Sequence, residues 1–265
     1  MPSAALVATA IEAARAAGAI LLDRWRGPAR SVRSKSSDTD MVSEADERAE
    51  QAIVERIKSE RPQDAIIAEE GSSVSGGSGL RWFIDPLDGT TNFLYGLGHW
   101  SVAIACADGE GALLGVVYDP LRDELFRAVR GGGAFLATDR ELRLKVTDKG
   151  DLATALVATG FGYVAEQRRV QGRILANVVG EVRDVRRLGS ASLDLCYTAA
   201  ARVDAYFESV DKPWDWMAGA LLVEEAGGLV TRLQPDNPAF PRIIASGPGI
   251  HDELVTLLAR SIQGL

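Results

Sequence analysis

Histidine is nearly absent from this chain of 265 residues, since only His99 and His251 occur. A zinc site built from several imidazoles is therefore disfavoured, and so is phosphotransfer through a pair of histidines. If the protein binds a catalytic metal ion, carboxylate oxygens must hold it. Oxygen ligands select a hard cation, which indicates Mg²⁺ or Mn²⁺.

Cysteines and long apolar runs are also scarce. Cys106 and Cys196 lie in apolar stretches, so we expect buried thiols in a reducing, cytoplasmic compartment and no disulfide framework. No run of about 18 apolar residues occurs, and we therefore expect no membrane span. The first helical segment carries Glu12, Arg15 and Asp23 among its alanines, which favours an amphipathic helix over a signal peptide.

Positive charge is in deficit, because 29 Lys and Arg against 37 Asp and Glu give a net charge of −8. This balance argues against a broad surface that binds nucleic acid. Hydrophobic residues make up 46% of the chain, which is typical of a globular protein. The length suits a single domain over residues 1–265, with an N-terminal half of about 1–150 and a C-terminal half of about 151–265.

The most informative stretch runs from Trp82 to Phe93 and reads WFIDPLDGTTNF. Its apolar start predicts a buried strand, which we expect to end where Pro86 removes a backbone donor. Asp85 and Asp88 then stand at the carboxyl end of this strand, before a glycine and two threonines where a helix can begin. Such an arrangement can bind a divalent cation and a phosphate together, or it can be only a strand that leads into an Asx turn and a helix cap.

Further acids occur at the ends of two other predicted elements. The short strand Ala65–Ala68 is followed by Glu69 and Glu70, and the sequence Lys212-Pro-Trp-Asp215 begins an apolar helix. A carboxylate at a helix N-terminus can be a cap and nothing more, so Asp215 alone does not indicate a metal site.

Hydrophobic periodicity predicts helices from about Ala4 to Trp25 and from Met41 to Ser59, the second with Ser43 as N-cap and Asp46 at its third position. The polar, basic segment between them predicts a loop or hairpin. After the central stretch, five short strands predict an antiparallel meander, and the second half alternates between strands and helices. This order predicts stacked layers of helices and sheets.

One motif is a false lead. Cys196 and Arg202 have the C-x5-R spacing of cysteine-dependent phosphatases. The residues between them are rich in alanine and follow a helical pattern, whereas a phosphate-binding loop needs exposed N–H groups and a thiol of lowered pKa. We therefore predict that Cys196 lies in the core.

Taken together, these residues resemble the inositol monophosphatase family, over nearly the whole chain and in the right order. The segments that carry the resemblance are Lys35-Ser-Ser37 with Asp40 and Asp46, Glu69-Glu70, Asp85 to Phe93, Gly189-Ser-Ala191, and Trp214-Asp215 through Gly228. The resemblance implies an α/β (α+β) fold, the five-layered α-β-α-β-α sandwich of the inositol monophosphatase and fructose-1,6-bisphosphatase type. It also implies Mg²⁺ dependence, inhibition by lithium and a homodimer.

The resemblance implies a metal centre of two or three Mg²⁺ ions, for which Mn²⁺ is a possible substitute. Its ligands would be the side chains of Glu69, Asp85, Asp88 and Asp215 and the backbone carbonyl of Leu87. Bridging ions can stabilise both the attacking and the leaving oxygen of an in-line displacement.

The resemblance further implies catalytic roles for Glu69, Thr90, Asp46 and Lys35. A water activated by the ions would be the nucleophile, oriented by Glu69 and Thr90, and Asp46 would hydrogen-bond Thr90 so that its hydroxyl accepts the proton of the water. Lys35 would approach the third metal position through water.

The remaining implied contacts concern the substrate, a small phosphate monoester. Asp88 and Asp215 would border it, and the N–H groups of Gly89 and Thr90 would bind its phosphate. The alcohol half would be lined by Gly189, Ser190, Ala191 and Glu208, with Glu208 accepting hydrogen bonds from a polyol.

Two departures from the family pattern bear on specificity. The first strand end reads Ala68-Glu-Glu-Gly71, where Gly-Glu-Glu is commoner in the family, and Gly160-Phe-Gly162 resembles the Gly-Phe-Pro of bacterial members with broad substrate ranges. Hydrolysis of inositol monophosphate and related sugar or polyol phosphates is the favoured prediction. The alternatives are the same metal core acting on histidinol phosphate, 3′-phosphoadenosine nucleotides or fructose-1,6-bisphosphate, and a non-enzymatic partner of the transcription machinery, as some bacterial relatives are.

Overall fold

A computed structural model describes residues 3–25, 33–34, 41–42 and 44–265. Within these ranges there are seven α-helices: α1 (Ala4–Arg24), α2 (Glu44–Glu60), α3 (Thr90–Leu94), α4 (Ala165–Val178), α5 (Ala191–Ala199), α6 (Pro213–Glu225) and α7 (His251–Ser261). The strands before the middle of the chain are β1 (Arg33–Ser34), β2 (Met41–Val42), β3 (Ala65–Ala68), β4 (Ser73–Val74), β5 (Arg81–Asp88), β6 (Ser101–Asp108), β7 (Gly111–Asp119), β8 (Glu124–Val129), β9 (Gly133–Ala137) and β10 (Glu141–Arg143). The later strands are β11 (Leu156–Thr159), β12 (Asp184–Arg186), β13 (Ala205–Glu208), β14 (Leu229–Arg232) and β15 (Ile243–Ser246).

The strands form two large sheets and one short pair. The larger sheet has eight strands in the order β10-β9-β8-β7-β6-β5-β3-β4, all antiparallel except for the parallel pair β3 and β5. The smaller sheet has the order β12-β11-β13-β15-β14, in which β11 pairs in parallel with both β12 and β13. The predicted meander is therefore confirmed as β6 to β10.

Helices and sheets stack in five layers. The helices α1 and α2 cover one face of the larger sheet, α5 and α6 lie between the two sheets, and α4 and α7 cover the far face of the smaller sheet. Three apolar clusters of buried side chains fill the spaces between these layers. The five-layered sandwich expected from the sequence is confirmed.

The helix α1 is long and apolar enough to pass a simple test for a membrane span, with a mean hydropathy of 1.7 over its best window. This is weak evidence, because 44% of that window is buried and core helices pass the same test. The side of α1 that carries Leu6, Ala10, Ala17 and Leu21 packs into the apolar cluster beneath the larger sheet. In this fold α1 is therefore a core helix.

The predicted helical pattern extends too far towards the N-terminus, although Asp46 is the third helical residue as predicted. Met41 and Val42 form β2, paired with β1, and the helix begins only at Glu44. A strand of two residues is too short to disturb the helical periodicity that continues behind it. The expected N-cap Ser43 and most of the predicted loop lie outside the described residues.

A glycine in the larger sheet allows α6 to pack closely. A Cβ added to Gly115 on β7 would lie 2.7 Å from the carbonyl oxygen and 2.9 Å from the Cα of Ala218 on α6. Since Asp215 stands in the first turn of α6, this approach of helix to sheet also sets where that carboxylate lies.

Replacement of this glycine should destabilise the fold. We expect Gly115→Ala to lower the free energy of unfolding by about 1–3 kcal/mol, because the added methyl group overpacks the α6–β7 contact. Urea unfolding of the two proteins measures the difference. The matched control is Gly172→Ala on α4, where an added Cβ meets nothing within 4 Å and should raise the free energy of unfolding by about 0.5–1 kcal/mol. Equal effects at both positions would contradict the packing argument.

Candidate active site

The site is built around the corner between β5 and α3. The expectation that the strand ends at Pro86 is wrong, because β5 continues to Asp88. A register shift in the pairing with β6 lies between Asp85 and Asp88, and proline is tolerated at such an irregularity because no ladder hydrogen bond is required there. Gly89 then turns the chain with φ +97°, in the left-handed region, and α3 begins at Thr90.

Four acids gather where this corner meets the ends of β3 and the start of α6. Asp85 is buried, and burial raises the pKa of its carboxyl well above the usual range. The nearby charges of Glu69, Asp88 and Asp215 raise the pKa of Asp85 further. One oxygen of Asp85 accepts a hydrogen bond from the N–H of Leu87 at 3.0 Å, which fixes the carboxyl within its own turn.

Asp88 binds the N-terminus of α5. Its Oδ2 atom accepts hydrogen bonds from the hydroxyl of Ser190 at 2.7 Å and from the N–H and the hydroxyl of Ser192 at 2.7 and 2.5 Å. The N–H of Ala191 lies 3.3 Å from Oδ1. Burial raises the pKa of Asp88, and these donors oppose that shift because they stabilise the charged form. A helix N-terminus also favours a negative charge.

Thr90 connects the corner to α2. Its hydroxyl lies 3.2 Å from Oδ1 of Asp46 and 3.1 Å from the carbonyl oxygen of Leu87. Asp46 is fully buried at the third position of α2, as the sequence predicted. The Asp46–Thr90 hydrogen bond expected from the resemblance is therefore present.

Glu208 ends β13, so it enters the site from the smaller sheet, whereas Asp85 and Asp88 belong to the larger one. It accepts a hydrogen bond from the hydroxyl of Tyr206 at 2.9 Å. Burial and the nearby Asp194 raise the pKa of Glu208 to about 7, while Tyr206 and Arg187 act to lower it. A Cβ on Gly160 would collide with the Glu208 carboxylate, so the space that this carboxylate occupies depends on that glycine.

Most of the predicted residues line one cleft of about 530 Å³. The predicted residues that line it are Glu69, Asp85, Leu87, Asp88, Gly89, Thr90, Gly189, Ala191, Glu208 and Asp215. Asp46 lies behind Thr90, and Lys35 lies outside the described residues. Ser190 differs from expectation: it is fully buried, caps α5 and donates to Asp88, so it supports this acid and does not line the cleft.

Three residues of the site were not singled out in the sequence. Ser192 donates to Asp88, and its only signal was a second serine at the start of a helix. Asn92 donates to the carbonyl oxygens of His99 at 2.7 Å and Leu188 at 2.8 Å, and so holds α3 against the turn that precedes α5. Arg187 lines the cleft at the end of β12, and an exposed arginine after a short strand carries no signal of its own.

The acids supply the oxygen-only donor set that Mg²⁺ prefers. Within the described ranges, no group of three acidic, cysteine or histidine side chains is arranged to hold a metal ion as it stands. Repulsion from each of the other three acids destabilises Asp85 as an anion, and a hydrogen bond with Glu69 also favours its protonated form. The donor chemistry therefore fits a hard divalent cation, whose charge would offset that repulsion.

The C-x5-R motif is a false lead, as predicted. Cys196 is fully buried within α5, and burial raises the pKa of its thiol well above the usual range. A thiol in that state is a poor nucleophile. Arg202 instead pairs with Glu124 through two hydrogen bonds of 2.6 Å.

Comparison with known proteins supports the family that the sequence motifs indicate. The model of the inositol monophosphatase family matches residues 3–263. The chain is 42% identical to the Nus factor SuhB of Pasteurella multocida, over 93% of this chain and 92% of that protein. It is 41% identical to the inositol-1-monophosphatase SuhB of Mycobacterium tuberculosis, over 87% of this chain and 82% of that protein. The crystal structure of the extragenic suppressor protein suhB from Bartonella henselae superposes with a TM-score of 0.86 and 37% identity, covering 99% of this chain and 100% of that one.

Repulsion among the acids should be measurable in the metal-free protein. Because the pKa of Asp85 is higher in the folded chain than its ordinary value of 3.8, the protonated carboxyl stabilises the fold. This stabilisation is complete below pH 3.8 and is lost as the pH rises through the folded pKa. We therefore expect Asp85→Asn to raise the melting temperature in a chelating buffer at pH 8, and to raise it less at pH 5.

The matched control for this measurement is Asp64→Asn. Although burial opposes it, hydrogen bonds from Arg61, Ser78 and Trp82 hold the pKa of Asp64 below its ordinary value. Loss of its charge should lower the melting temperature at pH 8. If Asp85→Asn also lowered the melting temperature at pH 8, the four acids would not repel one another as described.

Proposed function

The chain belongs to the inositol monophosphatase family, and we propose that it is a Mg²⁺-dependent phosphatase of inositol monophosphate and related sugar or polyol phosphate monoesters. The observation that carries this proposal is the gathering of four acids on one side of a cleft whose other side presents Glu208. The first group suits a divalent cation with a phosphate, and the second suits the hydroxyls of an alcohol.

Metal ligands in this proposal are Glu69, Asp85, Asp88, Asp215 and the carbonyl oxygen of Leu87. Two or three Mg²⁺ ions held by these residues would supply Lewis-acid activation of a water and of the phosphoryl group. The chain itself orients two of these ligands: Asp85 through the N–H of Leu87, and Asp88 through the first turn of α5.

Proton transfer falls to Thr90 and Asp46. The Thr90 hydroxyl accepts the proton of the attacking water while it donates its own hydrogen to Asp46, which lies 3.2 Å away. Glu69 orients the same water. The N–H groups of Gly89 and Thr90 bind the phosphate oxygens, and the role of Lys35 near the third metal position stays a prediction.

The leaving alcohol meets Glu208, Gly189 and Ala191. A carboxylate there accepts hydrogen bonds from a polyol and repels a second phosphate. Arg187 lies close enough to lower the pKa of Glu208, so its positive charge weakens that repulsion. We therefore propose a preference for monophosphates that is moderate in size, which leaves 3′-phosphoadenosine nucleotides and fructose-1,6-bisphosphate as slower substrates. Histidinol phosphate has a single phosphate and stays an alternative substrate, because this repulsion does not act on it.

A second candidate function follows from the comparisons. A relative of 42% identity is named a Nus factor, so this chain is also a candidate partner of the transcription machinery. Binding of the chain to RNA polymerase, measured with wild type and with Asp88→Asn, separates this role from hydrolysis. In either case we propose a cytoplasmic homodimer, with direct nucleic-acid binding disfavoured by the net charge of −8.

The metal centre predicts the outcome of chelation and of one substitution. Hydrolysis of inositol 1-phosphate should stop after exhaustive chelation, return with Mg²⁺ or Mn²⁺, and be inhibited by lithium. Asp88→Asn keeps the side-chain volume but removes a ligand charge, so kcat should fall by orders of magnitude in a folded protein. Phosphate release is the assay, and Cys196→Ser is the control that should stay within a few-fold of wild type. Full turnover without a divalent cation would refute the mechanism.

The Glu208 contact predicts effects on KM and on its pH dependence. Glu208→Gln should raise KM for inositol 1-phosphate more than it lowers kcat, because the contact is already made in the ground state. Gly160→Ala should act in the same direction, since its methyl group displaces the Glu208 carboxylate. In wild type, KM should rise as the pH falls through about 7, where Glu208 takes up a proton, and Glu208→Gln should lose this dependence. A tenfold preference for fructose-1,6-bisphosphate or adenosine 3′,5′-bisphosphate would instead favour the alternative substrates.

A further inference from the structure

The helix α2 presents two buried carboxylates on one face, Asp46 and Glu50, four residues apart. Residues at this spacing lie one above the other on a helix. Asp46 is 0% exposed and Glu50 is 3% exposed. Asp46 already has an assigned contact with Thr90, whereas nothing in the proposed mechanism uses Glu50.

Glu50 holds the turn that follows β3. Its Oε2 atom accepts a hydrogen bond from the N–H of Glu70 at 2.6 Å, and its Oε1 atom accepts one from the N–H of Ser72 at 2.9 Å. The first residue of this turn is Glu69, which lines the cleft. The carboxylate of Glu50 therefore binds the backbone of this turn one and three residues after Glu69.

The other backbone bonds of this turn leave it in need of such an anchor. The N–H of Glu69 donates to the carbonyl oxygen of Ile84 on β5 at 3.1 Å, and the N–H of Ala68 donates to the carbonyl oxygen of Ser72 at 3.0 Å. These two bonds fix the start of the turn and close it on itself. Between the described residues, the Glu50 carboxylate is what binds the N–H groups of Glu70 and Ser72 and so connects them to α2.

The carboxylate of Glu50 is suited to binding these two N–H groups. Among the described residues Glu50 makes no ion pair with a lysine or an arginine, and its two oxygens are both used by the turn. A buried carboxylate without a cation is costly unless N–H donors satisfy it. An amide at this position would place an NH₂ group against one of the two N–H donors, so glutamine cannot reproduce the contact.

We propose that Glu50 is a positioning residue for Glu69. Glu50 and Asp46 lie on one face of α2, and together they set the separation between the metal-binding turn after β3 and the proton acceptor Thr90. This inference rests on the proposed function, because it assigns Glu69 to the metal centre. A displacement of about 1 Å at a reacting group can cost about 100-fold in rate, so an anchor behind Glu69 matters even though it never contacts the substrate.

The test is a double-mutant cycle of Glu50→Gln and Glu69→Gln, with Mn²⁺ binding measured by the loss of the free-ion EPR signal. Partners that orient metal ligands typically contribute about 10–100-fold to metal affinity or activity, so Glu50→Gln alone should weaken Mn²⁺ binding by about tenfold or more. If Glu50 acts through Glu69, adding Glu50→Gln to Glu69→Gln should weaken Mn²⁺ binding little beyond the effect of Glu69→Gln alone. Phosphate release at saturating metal should show a lower kcat with KM for inositol 1-phosphate nearly unchanged.

Two controls separate positioning from stability. Glu55→Gln changes an exposed glutamate of the same helix and should leave Mn²⁺ binding as in wild type. Ile57→Val lowers stability in the buried face of α2 without touching the turn, and should lower the melting temperature but not the metal affinity. If Glu50→Gln does not fold, Glu50→Asp enters the same cycle, because it keeps the charge but shortens its reach to the turn.

The possible results distinguish the two proposals. Weakened Mn²⁺ binding by both single variants, without additivity, supports the positioning role. The positioning role is overturned if Glu69→Gln weakens Mn²⁺ binding while Glu50→Gln binds as wild type, or if the two losses are fully additive. Either result leaves the metal centre intact. Wild-type Mn²⁺ binding by Glu69→Gln overturns the proposed metal centre and the positioning role with it.

Discussion

Repulsion among carboxylates in a partly dehydrated cleft is the constraint on which the rest of this structure depends. Asp85 is buried with three other acids close enough to raise its pKa, and a folded chain tolerates such a group only if each member is held in place. The acids come from the ends of three separate elements, and backbone donors hold two of them. Asp85 accepts from its own turn, and Asp88 accepts from the start of α5.

These anchors also join the layers of the fold. Asp88 belongs to β5 of the larger sheet, and the donors that bind it belong to α5, which lies between the two sheets. Asn92 adds a second connection, from α3 to the turn before α5. The N-terminus of α5 packs against the larger sheet and also stabilises the negative charge of Asp88. The packing of the layers and the position of this acid therefore depend on the same contact.

The two sides of the cleft have different physical characters. On one side lie four acids, of which Asp85 is held by a backbone N–H group and Asp88 by backbone N–H groups and serine hydroxyls. On the other side, Glu208 is held by Tyr206 at the end of a strand of the smaller sheet, in a space that Gly160 keeps open. The glycine and the tyrosine that position Glu208 make no described contact with the four acids, so the two sides are held by separate sets of residues.

The sequence by itself determined the order of most elements, the acids at their ends and the family. These depend on hydrophobic periodicity and on short motifs, which are local properties of the chain. It could also place Cys196 in the core, because an alanine-rich helical pattern is local too. The Asp46–Thr90 contact was reached through the resemblance, since spacing alone does not show it.

Only the tertiary structure decided how these parts support one another. Pro86 lies within β5 because β6 pairs around it with a shifted register, and Ser190 faces Asp88 because α5 packs against the larger sheet. The carboxylate of Glu50 meets a turn about twenty residues away, and Ser192 meets an acid more than one hundred residues away. Such partners are chosen by the stacking of layers, and a local pattern carries no information about which distant N–H group a buried carboxylate will reach.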